Sequence, residues 1–568
     1  MAVMAGSLPA GPARPGEGQP GAAQSAVRRV IVYGLLFAVV VITTTGIAGL
    51  VGRLFEGTSL AAGGAGDLSL WLAFTLIGGP LGGALWWALW RRLGRDESER
   101  ASLAWGLYVT AVYLLSLVIA TTTLTTMVST GLSGQWRPAD LGTGLAWTAV
   151  WFWHRWMLRH PLRSPRRLAS VPGVLAATFG LVYLAVGSIT ALGSLLREAL
   201  ATATSADLVS TPWWQGAMGA LISGGVGLVI WWWHWVHDEA RSTRTVFSAV
   251  ALVVVGVMGG AAAALIGLGT ALWCALRVIF DDSQPLVEML SPLGTALAAT
   301  TIGGLIWVSH HRVAVDRSSE TRRAAALVVA GLGLVGVATG LGIVVNATLG
   351  ALVSPLVAAD TRSILLGGIA TLVVGAPVWW AMWQPRRRFT GDEITFQGRR
   401  IYLVAVFGAS AVVALIALLV VGSRLFEFLL DATTASSLVD RVRAPLGLLL
   451  ATVLVFTYHF AVWRQDRATI SAEGLAPVQR IGRVTLVAPD AAPALARAIT
   501  AATGASVEVW PMASPTVGAA SASGAAPVID PWTTDAAALS AAFADVTARH
   551  VLVLAGPDGR FEVIPLAG

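Results

Sequence analysis

Histidines lie among tryptophans at the ends of several apolar segments of this 568-residue chain. Imidazole binds transition metals and titrates near neutral pH, so a cluster drawn from several helices would suit a metal, haem or proton site. The candidates are His154, His234, His237, His310 and His459. Of these, His234 and His237 have the spacing that places two rings on one helical face.

Anchoring is the alternative interpretation of the same residues. A His among Trp at the headgroup level is amphipathic and can satisfy the last carbonyls of a helix. The sequence favours anchoring, because no carboxylate or Cys joins His234 and His237 within their apolar segment. The single Cys274 also excludes an internal disulfide and a Cys-based zinc site.

The apolar segments that carry these residues dominate the composition. Hydrophobic residues make up 55% of the chain and charged residues only 12%, about half of what a soluble globular protein carries. The mean hydropathy is +0.72, which excludes a disordered protein and most soluble enzymes. A transmembrane helix needs about 20 apolar residues. We predict an all-α integral membrane bundle of about twelve transmembrane helices, at 29–53, 69–90, 103–130, 142–158, 172–196, 213–235, 245–276, 291–311, 323–353, 363–383, 400–423 and 444–463.

The charged residues between these segments predict an orientation. Arg is concentrated in the N-terminal tail and in every second connection, whereas the remaining connections carry more acids than Arg. Because basic loops stay in the cytoplasm, we expect a multi-pass protein of the cell membrane with both termini cytoplasmic. Residues 1–27 are rich in Gly, Pro and Ala and predict a flexible tail.

The predicted helices repeat in pairs. Odd helices end in an Arg followed by an acid, as in Arg53-Leu54-Phe55-Glu56 and Arg424-Leu425-Phe426-Glu427. Even helices end in aromatic clusters that begin at residues 86, 151, 231, 307, 379 and 456. We therefore predict a membrane domain over 28–467 made of six helical hairpins, at about 28–100, 101–167, 168–242, 243–320, 321–398 and 399–467.

Two motifs of these hairpins resemble a known family. Arg399-Arg400-Ile401-Tyr402-Leu403 opens one hairpin, and Trp231-Trp232-Trp233-His234-Trp235 closes another. They resemble the bacterial membrane domain of unknown function numbered 5671. The resemblance implies a two-helix unit in several copies over about 28–467, and the family has no established activity to carry over. Leu89 and Met382 replace the His in the first and fifth repeats.

The middle of the predicted membrane domain is free of charge. No Arg, Asp or Glu falls near the centre of a predicted span, whereas ion-coupled transporters and proton pumps usually carry such residues there. The polar candidates at mid-depth are Thr121, Thr122, Thr123 and Asn346. They would either line a path for a polar solute or hold helices together and bond to their own backbone, and the second interpretation is favoured. The Trp clusters likewise favour an aromatic belt over a stacking platform for a flat ligand.

Residues 468–568 predict a small cytoplasmic α+β domain. Strands at 483–488 and 506–510 flank a helix at 491–503, and a helix at 534–548 precedes strands at 550–555 and 560–565. The domain has no phosphate-binding glycine motif, and its acids outnumber its Arg, which excludes a nucleic-acid module. Regulation, docking or assembly on the cytoplasmic face, through a homo-oligomer or another membrane protein, is its expected role.

No catalytic motif and no cofactor is indicated by the sequence, so we expect a non-enzymatic membrane scaffold, accessory or sensor protein surrounded by the lipid bilayer. A transporter or channel for an uncharged or lipidic solute is the first alternative, since internal repeats are common among transporters. A redox or metal-binding protein that uses the His and Trp layer is the second.

Overall fold

A computed structural model provides the structure of the protein. It describes residues 22–56, 65–203, 213–353, 358–383, 396–430, 437–472, 481–488, 493–503, 505–511, 539, 542–543, 546, 548–555 and 561–566. Contacts divide the chain into two compact units. The first unit contains residues 1–385 and 411–453, and the second contains residues 386–410 and 454–568.

Long helices make up most of the described chain. The first half contains α1 Ala22–Leu54, α2 Ala65–Leu76, α3 Gly78–Arg95, α4 Glu97–Arg100, α5 Leu103–Leu132, α6 Pro138–Arg159, α7 Val171–Ala203 and α8 Trp213–Trp232. After a short 3₁₀ turn at Ala240–Ser242 come α9 Val246–Ala251, α10 Gly260–Phe280, α11 Leu286–Leu290, α12 Leu293–Arg317, α13 Ser319–Val353, α14 Ala358–Trp383, α15 Gln397–Leu430 and α16 Leu438–Ala472. The helix α1 begins inside the predicted tail 1–27.

Within the described residues, eleven helices are long and apolar enough to cross a membrane. The multi-pass, all-helical membrane architecture is therefore supported, but the predicted number of twelve is not reached. The missing span is the fourth, 142–158, which does form helix α6. That helix is rich in Trp and Gly and carries Arg155 and Arg159 near its end, so it is less hydropathic than its neighbours.

Three of the predicted spans depart from a regular α-helix. The second span is interrupted at Ile77, between α2 and α3. The fifth ends in a π-helical turn at Trp233–His237, and the seventh contains a π-helical stretch at Leu252–Gly259 between α9 and α10. A π-turn widens the helix and redirects the side chains that it carries, and such turns are frequent at functional sites.

Glycines allow the helices of the first unit to approach closely. A Cβ atom on Gly187 of α7 would lie only 2.3 Å from the backbone nitrogen of Gly224 on α8. In the same way, a Cβ on Gly142 of α6 would lie 2.3 Å from the nitrogen of Gly52 on α1. Small residues at these crossings permit the backbone contact by which membrane helices associate.

The second unit includes a four-stranded sheet near the C-terminus. Its strands are β1 Arg483–Ala488, β2 Ser506–Pro511, β3 His550–Ala555 and β4 Phe561–Leu566, in the order β2-β1-β3-β4. The strand β1 is parallel to both β2 and β3, and β4 is antiparallel to β3. Helix α17, Pro493–Thr503, connects β1 to β2. The predicted β-α-β order and small α+β sheet are confirmed.

The core of this sheet follows from its alternating sequence. Val484, Leu486, Val551 and Val553 are fully buried and alternate with less buried neighbours, as expected of strands with one covered face. The predicted helix at 534–548 lies mostly outside the described residues.

Candidate functional site

Four of the candidate histidines are buried inside the protein. The exposed fractions of His154, His234, His310 and His459 are 2%, 2%, 4% and 0%. Side chains that anchor a helix at the headgroup level would be exposed on the protein surface. These four rings therefore pack between helices, whereas their position relative to a lipid interface stays a prediction.

Three of these rings are held by their own helix. The Nδ1 atoms of His154, His310 and His459 lie 2.9, 2.8 and 2.9 Å from the carbonyl oxygens four residues earlier, those of Val150, Ile306 and Val455. A carbonyl oxygen only accepts hydrogen bonds, so Nδ1 must carry the proton. In the neutral ring Nε2 is then an acceptor, and this tautomer follows from the hydrogen-bond network.

The fourth ring is held differently because a π-turn surrounds it. His234 lies in the turn Trp233–His237, and its Nδ1 donates to Oδ2 of Asp238 at 3.0 Å instead of to its own helix. His237, its predicted metal-binding partner, packs against Trp233 with ring centroids 4.7 Å apart. The carboxylate that the sequence analysis did not find within the span lies directly after it.

Asp238 is the centre of a charged network between α6 and the end of the fifth span. Arg155 donates from Nη1 to Oδ2 at 3.0 Å and from Nη2 to Oδ1 at 3.2 Å, and Arg159 donates to Oδ1 at 2.8 Å. Partial burial opposes ionisation of this carboxyl. The hydrogen bonds and charge of Arg155, together with His234, outweigh burial and lower the pKa of Asp238.

Sequence reasoning missed Asp238 as a functional residue. The signal was present, because His234 and Asp238 have the i,i+4 spacing at which helical side chains meet. Arg155 could not have been found in this way, since it is 83 residues from Asp238 in the chain.

A tyrosine faces each of three histidines. The Tyr108 hydroxyl lies 3.4 Å from Nε2 of His154, and the Tyr113 hydroxyl lies 3.4 Å from Nε2 of His234. In the second unit, the rings of Tyr402 and His459 are 6.1 Å apart in an edge-to-face arrangement. The first two pairings engage Nε2 of His154 and of His234 in long hydrogen bonds. Across the part of the chain that the structure describes, no group of three His, Cys, Asp or Glu side chains could hold a metal ion.

A cavity of about 400 Å³ lies in the first unit beside the Tyr108–His154 pair. Three helices line most of it, and the lining residues of each helix have the spacing of one helical face, i, i+3, i+4 and i+7. They are Val40, Thr43, Thr44 and Ile47 of α1; Gly79, Gly82, Gly83 and Trp86 of α3; and Ala146, Ala149, Val150, Trp153 and His154 of α6, with Tyr108 of α5. None of the described lining residues is Arg, Asp or Glu.

The cavity has an aromatic end and a small-residue wall. Trp86 lies 6.3 Å from Tyr108, 5.9 Å from Trp153 and 6.1 Å from His154, measured between ring centroids. The glycines of α3 leave space, since a Cβ on Gly83 would meet no atom within 4 Å. An uncharged, largely apolar space with a few polar groups at one end is typical of a small-molecule site.

Two of the four predicted polar residues at mid-depth bond to their own helix. The hydroxyls of Thr122 and Thr123 donate to the carbonyl oxygens of Val118 and Ile119 at 2.8 and 2.7 Å. Thr121 is buried, and its carbonyl accepts from Thr125. These contacts support the helix-packing interpretation. Asn346 is half-buried on α13.

Two further acids form ion pairs with arginines that are distant in the sequence. In the first unit, buried Glu99 forms ion pairs with Arg28 and Arg29 at 3.3 Å. In the second unit, Asp466 of α16 accepts from Arg399 of α15 at 2.8 Å. In hairpin one the start of the first helix is thus tied to α4, which follows the second span, and in hairpin six the start of α15 is tied to the end of α16. The sequence analysis did not predict these pairs.

Two regions of the chain match one family. Residues 29–153 and residues 324–454 match the model described as "Domain of unknown function (DUF5671)". The predicted resemblance is confirmed over these regions. The first region runs from α1 into α6 and the second from α13 into α16, so each match covers two predicted hairpins. No curated protein and no solved structure matches the chain.

Proposed function

Since the chain carries this repeated membrane domain of unknown function over two regions, we propose that it is a non-enzymatic, multi-pass membrane protein that acts as a sensor or accessory protein by binding an uncharged, largely apolar ligand. The cavity of about 400 Å³ beside Tyr108 and His154 is the single observation that carries this proposal. Its uncharged lining favours a neutral molecule, because burying an unpaired charge there would cost several kcal/mol.

Ligand copurification is the experiment that tests the proposal. The protein is extracted from membranes in a mild detergent, and bound small molecules are identified by native mass spectrometry. We expect an uncharged ligand on the wild type and its loss from Gly83→Leu, because that side chain would occupy the cavity. The matched control is Gly304→Leu on α12, where a Cβ also meets nothing within 4 Å but no cavity wall is changed. Equal ligand content in both variants would contradict the proposal.

Sensing or accessory action is favoured over a channel by the threonines of α5. Thr122 and Thr123 donate to their own backbone, and the Thr125 hydroxyl bonds to that of Tyr183 on α7. Hydroxyls used in this way support a packed bundle. A flux of a neutral solute through vesicles that contain the purified protein would favour the transporter alternative instead.

The expected orientation and partners belong to the same proposal. We propose that both termini are cytoplasmic, and that the C-terminal domain docks onto a second copy or another membrane protein at that face of the cell membrane. The excess of Arg in the tail and in alternate connections supports the orientation. A reporter that works only in the cytoplasm should be active when it is fused after Arg467. Activity at the same position of a reporter that works only outside the cell would contradict the proposed orientation.

A further inference from the structure

We infer that the cavity recognises a ligand hydroxyl, so that its ligand is an uncharged, apolar alcohol or phenol. This inference rests on the proposed binding function and assigns the chemical class of the ligand. It starts from the hydrogen-bonding groups that line the cavity.

The two threonine hydroxyls of the wall are not presented to a ligand, because that of Thr44 is hydrogen-bonded and that of Thr43 is buried without a partner among the described residues. The Thr44 hydroxyl donates to the carbonyl oxygen of Val40 at 2.7 Å. The Thr43 hydroxyl faces α3, where a Cβ added to Gly78 would lie 2.8 Å from it. The indole N–H groups of Trp86 and Trp153 can only donate, so the side-chain acceptors offered to a ligand are the Tyr108 oxygen and Nε2 of His154.

The donor and acceptor roles of this pair follow from the backbone. Because Nδ1 of His154 donates to the Val150 carbonyl at 2.9 Å, Nε2 is an acceptor in the neutral ring. The Tyr108 hydroxyl supplies the proton of the contact with Nε2, and at 3.4 Å this hydrogen bond is longer than the usual range. The pair thus has more acceptor capacity than donor capacity.

A hydroxyl ligand satisfies the pair, and a ligand that can only accept does not. A hydroxyl can donate to the free lone pair of the Tyr108 oxygen, or lie between the two residues, accepting from Tyr108 and donating to His154. A ketone or ether can accept from a Trp N–H but cannot donate to Nε2 of His154. If it accepts from the Tyr108 hydroxyl instead, the contact between Tyr108 and Nε2 is lost and that buried acceptor is left unpaired. That penalty corresponds to a discrimination of roughly tenfold or more.

The apolar remainder of the cavity matches a hydrocarbon body. The rest of the lining consists of Val40, Ile47, the two threonines and small residues of α3 and α6. Trp86 and Trp153 lie beside the Tyr108–His154 pair and offer ring faces against which a flat phenol would pack. A lipid alcohol and a reduced quinone share the required hydroxyl, and the mass of the copurified molecule distinguishes these two sources.

A matched pair of probes tests the inference. 4-Propylphenol and 4-propylanisole differ only by methylation of the hydroxyl, and their binding to the purified full chain in detergent is measured by calorimetry. The Gly83→Leu variant, in which the cavity is filled, measures the heat of probe that enters the detergent micelle without binding in the cavity. We expect wild type to bind the phenol roughly tenfold or more tightly than the ether. His154→Leu should lower this ratio to about one and retain binding of the ether, which shows that the cavity is still folded. Tyr108→Phe should keep the preference, because Nε2 of His154 then remains an acceptor that the phenol hydroxyl can pair and the ether cannot.

The outcomes separate the two proposals. Equal binding of phenol and ether to wild type overturns the hydroxyl inference and leaves the binding function standing. Binding of neither probe above the Gly83→Leu blank, with no ligand on the purified protein, overturns the proposed function. A preference for the phenol that persists in His154→Leu overturns the assignment of His154 as the acceptor. A copurified ligand without a hydroxyl also contradicts the inference.

Discussion

Arg155 and Asp238 form a two-point ion pair between α6 and the end of the fifth span, with N–O distances of 3.0 and 3.2 Å. Their side chains are 12% and 16% exposed. The pair therefore joins two of the predicted hairpins across a largely desolvated contact, where the loss of one charge leaves the other uncompensated.

Asp238→Asn should destabilise the first unit because it leaves the Arg155 guanidinium without its counter-charge. We expect a loss of about 3 kcal/mol in unfolding free energy, measured by thermal or denaturant unfolding in detergent. Asp282→Asn is the control, because Asp282 pairs with Arg362 at 2.9 Å but is 95% exposed. Its loss should stay below about 1 kcal/mol. Equal losses from the two substitutions would show that the Arg155–Asp238 pair stabilises the fold no more than an exposed ion pair does.

Acid should remove the contribution of Asp238. The folded state lowers the pKa of this carboxyl, so the charged form stabilises the fold above the unfolded carboxyl pKa of about 3.9. The contribution is then lost as the pH falls below that value towards the folded pKa. The difference in melting temperature between wild type and Asp238→Asn should be large at pH 7 and smaller at pH 3. A difference in melting temperature that grows on acidification would contradict this pH dependence.

Glu99→Gln should weaken the first hairpin. The Glu99 carboxylate is buried, accepts from the Tyr33 hydroxyl at 3.3 Å and forms ion pairs with Arg28 and Arg29. A neutral amide keeps the shape but removes charge-assisted hydrogen bonds, so we expect a loss of about 2 kcal/mol in unfolding free energy. Glu97→Gln is the exposed control and should change stability by less than about 1 kcal/mol.

Gly187→Ala should separate α7 from α8. The new Cβ would lie 2.3 Å from the nitrogen of Gly224, and backbone cannot move aside as a flexible side chain can. Overpacking of this kind costs about 1–3 kcal/mol, which unfolding measurements would detect. Gly225→Ala on α8 is the matched control, because its Cβ meets nothing within 4 Å. A stable Gly187→Ala would mean that the two helices are not in backbone contact.

Hydropathy alone determined most of the membrane architecture. An apolar run long enough to cross a bilayer is a local property of the chain, so the spans around α5, α7 and α13 were found without knowledge of their neighbours. The β-α-β order near the C-terminus was found for the same reason, because Val484 to Ala488 alternate along the sequence itself. The span at α6 stays a prediction: the segment forms a helix, but Trp, Gly and Arg lower its hydropathy and it is not among the eleven described helices that are apolar enough to cross a membrane.

Sequence also identified the histidines of the site but not their environment. Their repeated position after the aromatic clusters is visible in the printed chain. Their burial is not, because the same amphipathic residue suits a lipid interface and a packed helix contact equally well. The ring tautomer of His154 could not be predicted either, since it depends on the hydrogen bond of Nδ1 to Val150.

Only the tertiary structure brought the distant partners together. Arg155 meets Asp238 across 83 residues and Tyr108 meets His154 across 46, and such pairs depend on how whole helices pack. The π-turn that directs His234 to Asp238, and the cavity left open by glycines of α3, likewise arise from packing. The sequence thus determined which segments are apolar enough to enter a membrane, because hydropathy is local. Tertiary structure decided which polar side chains meet, because that depends on the contacts between helices.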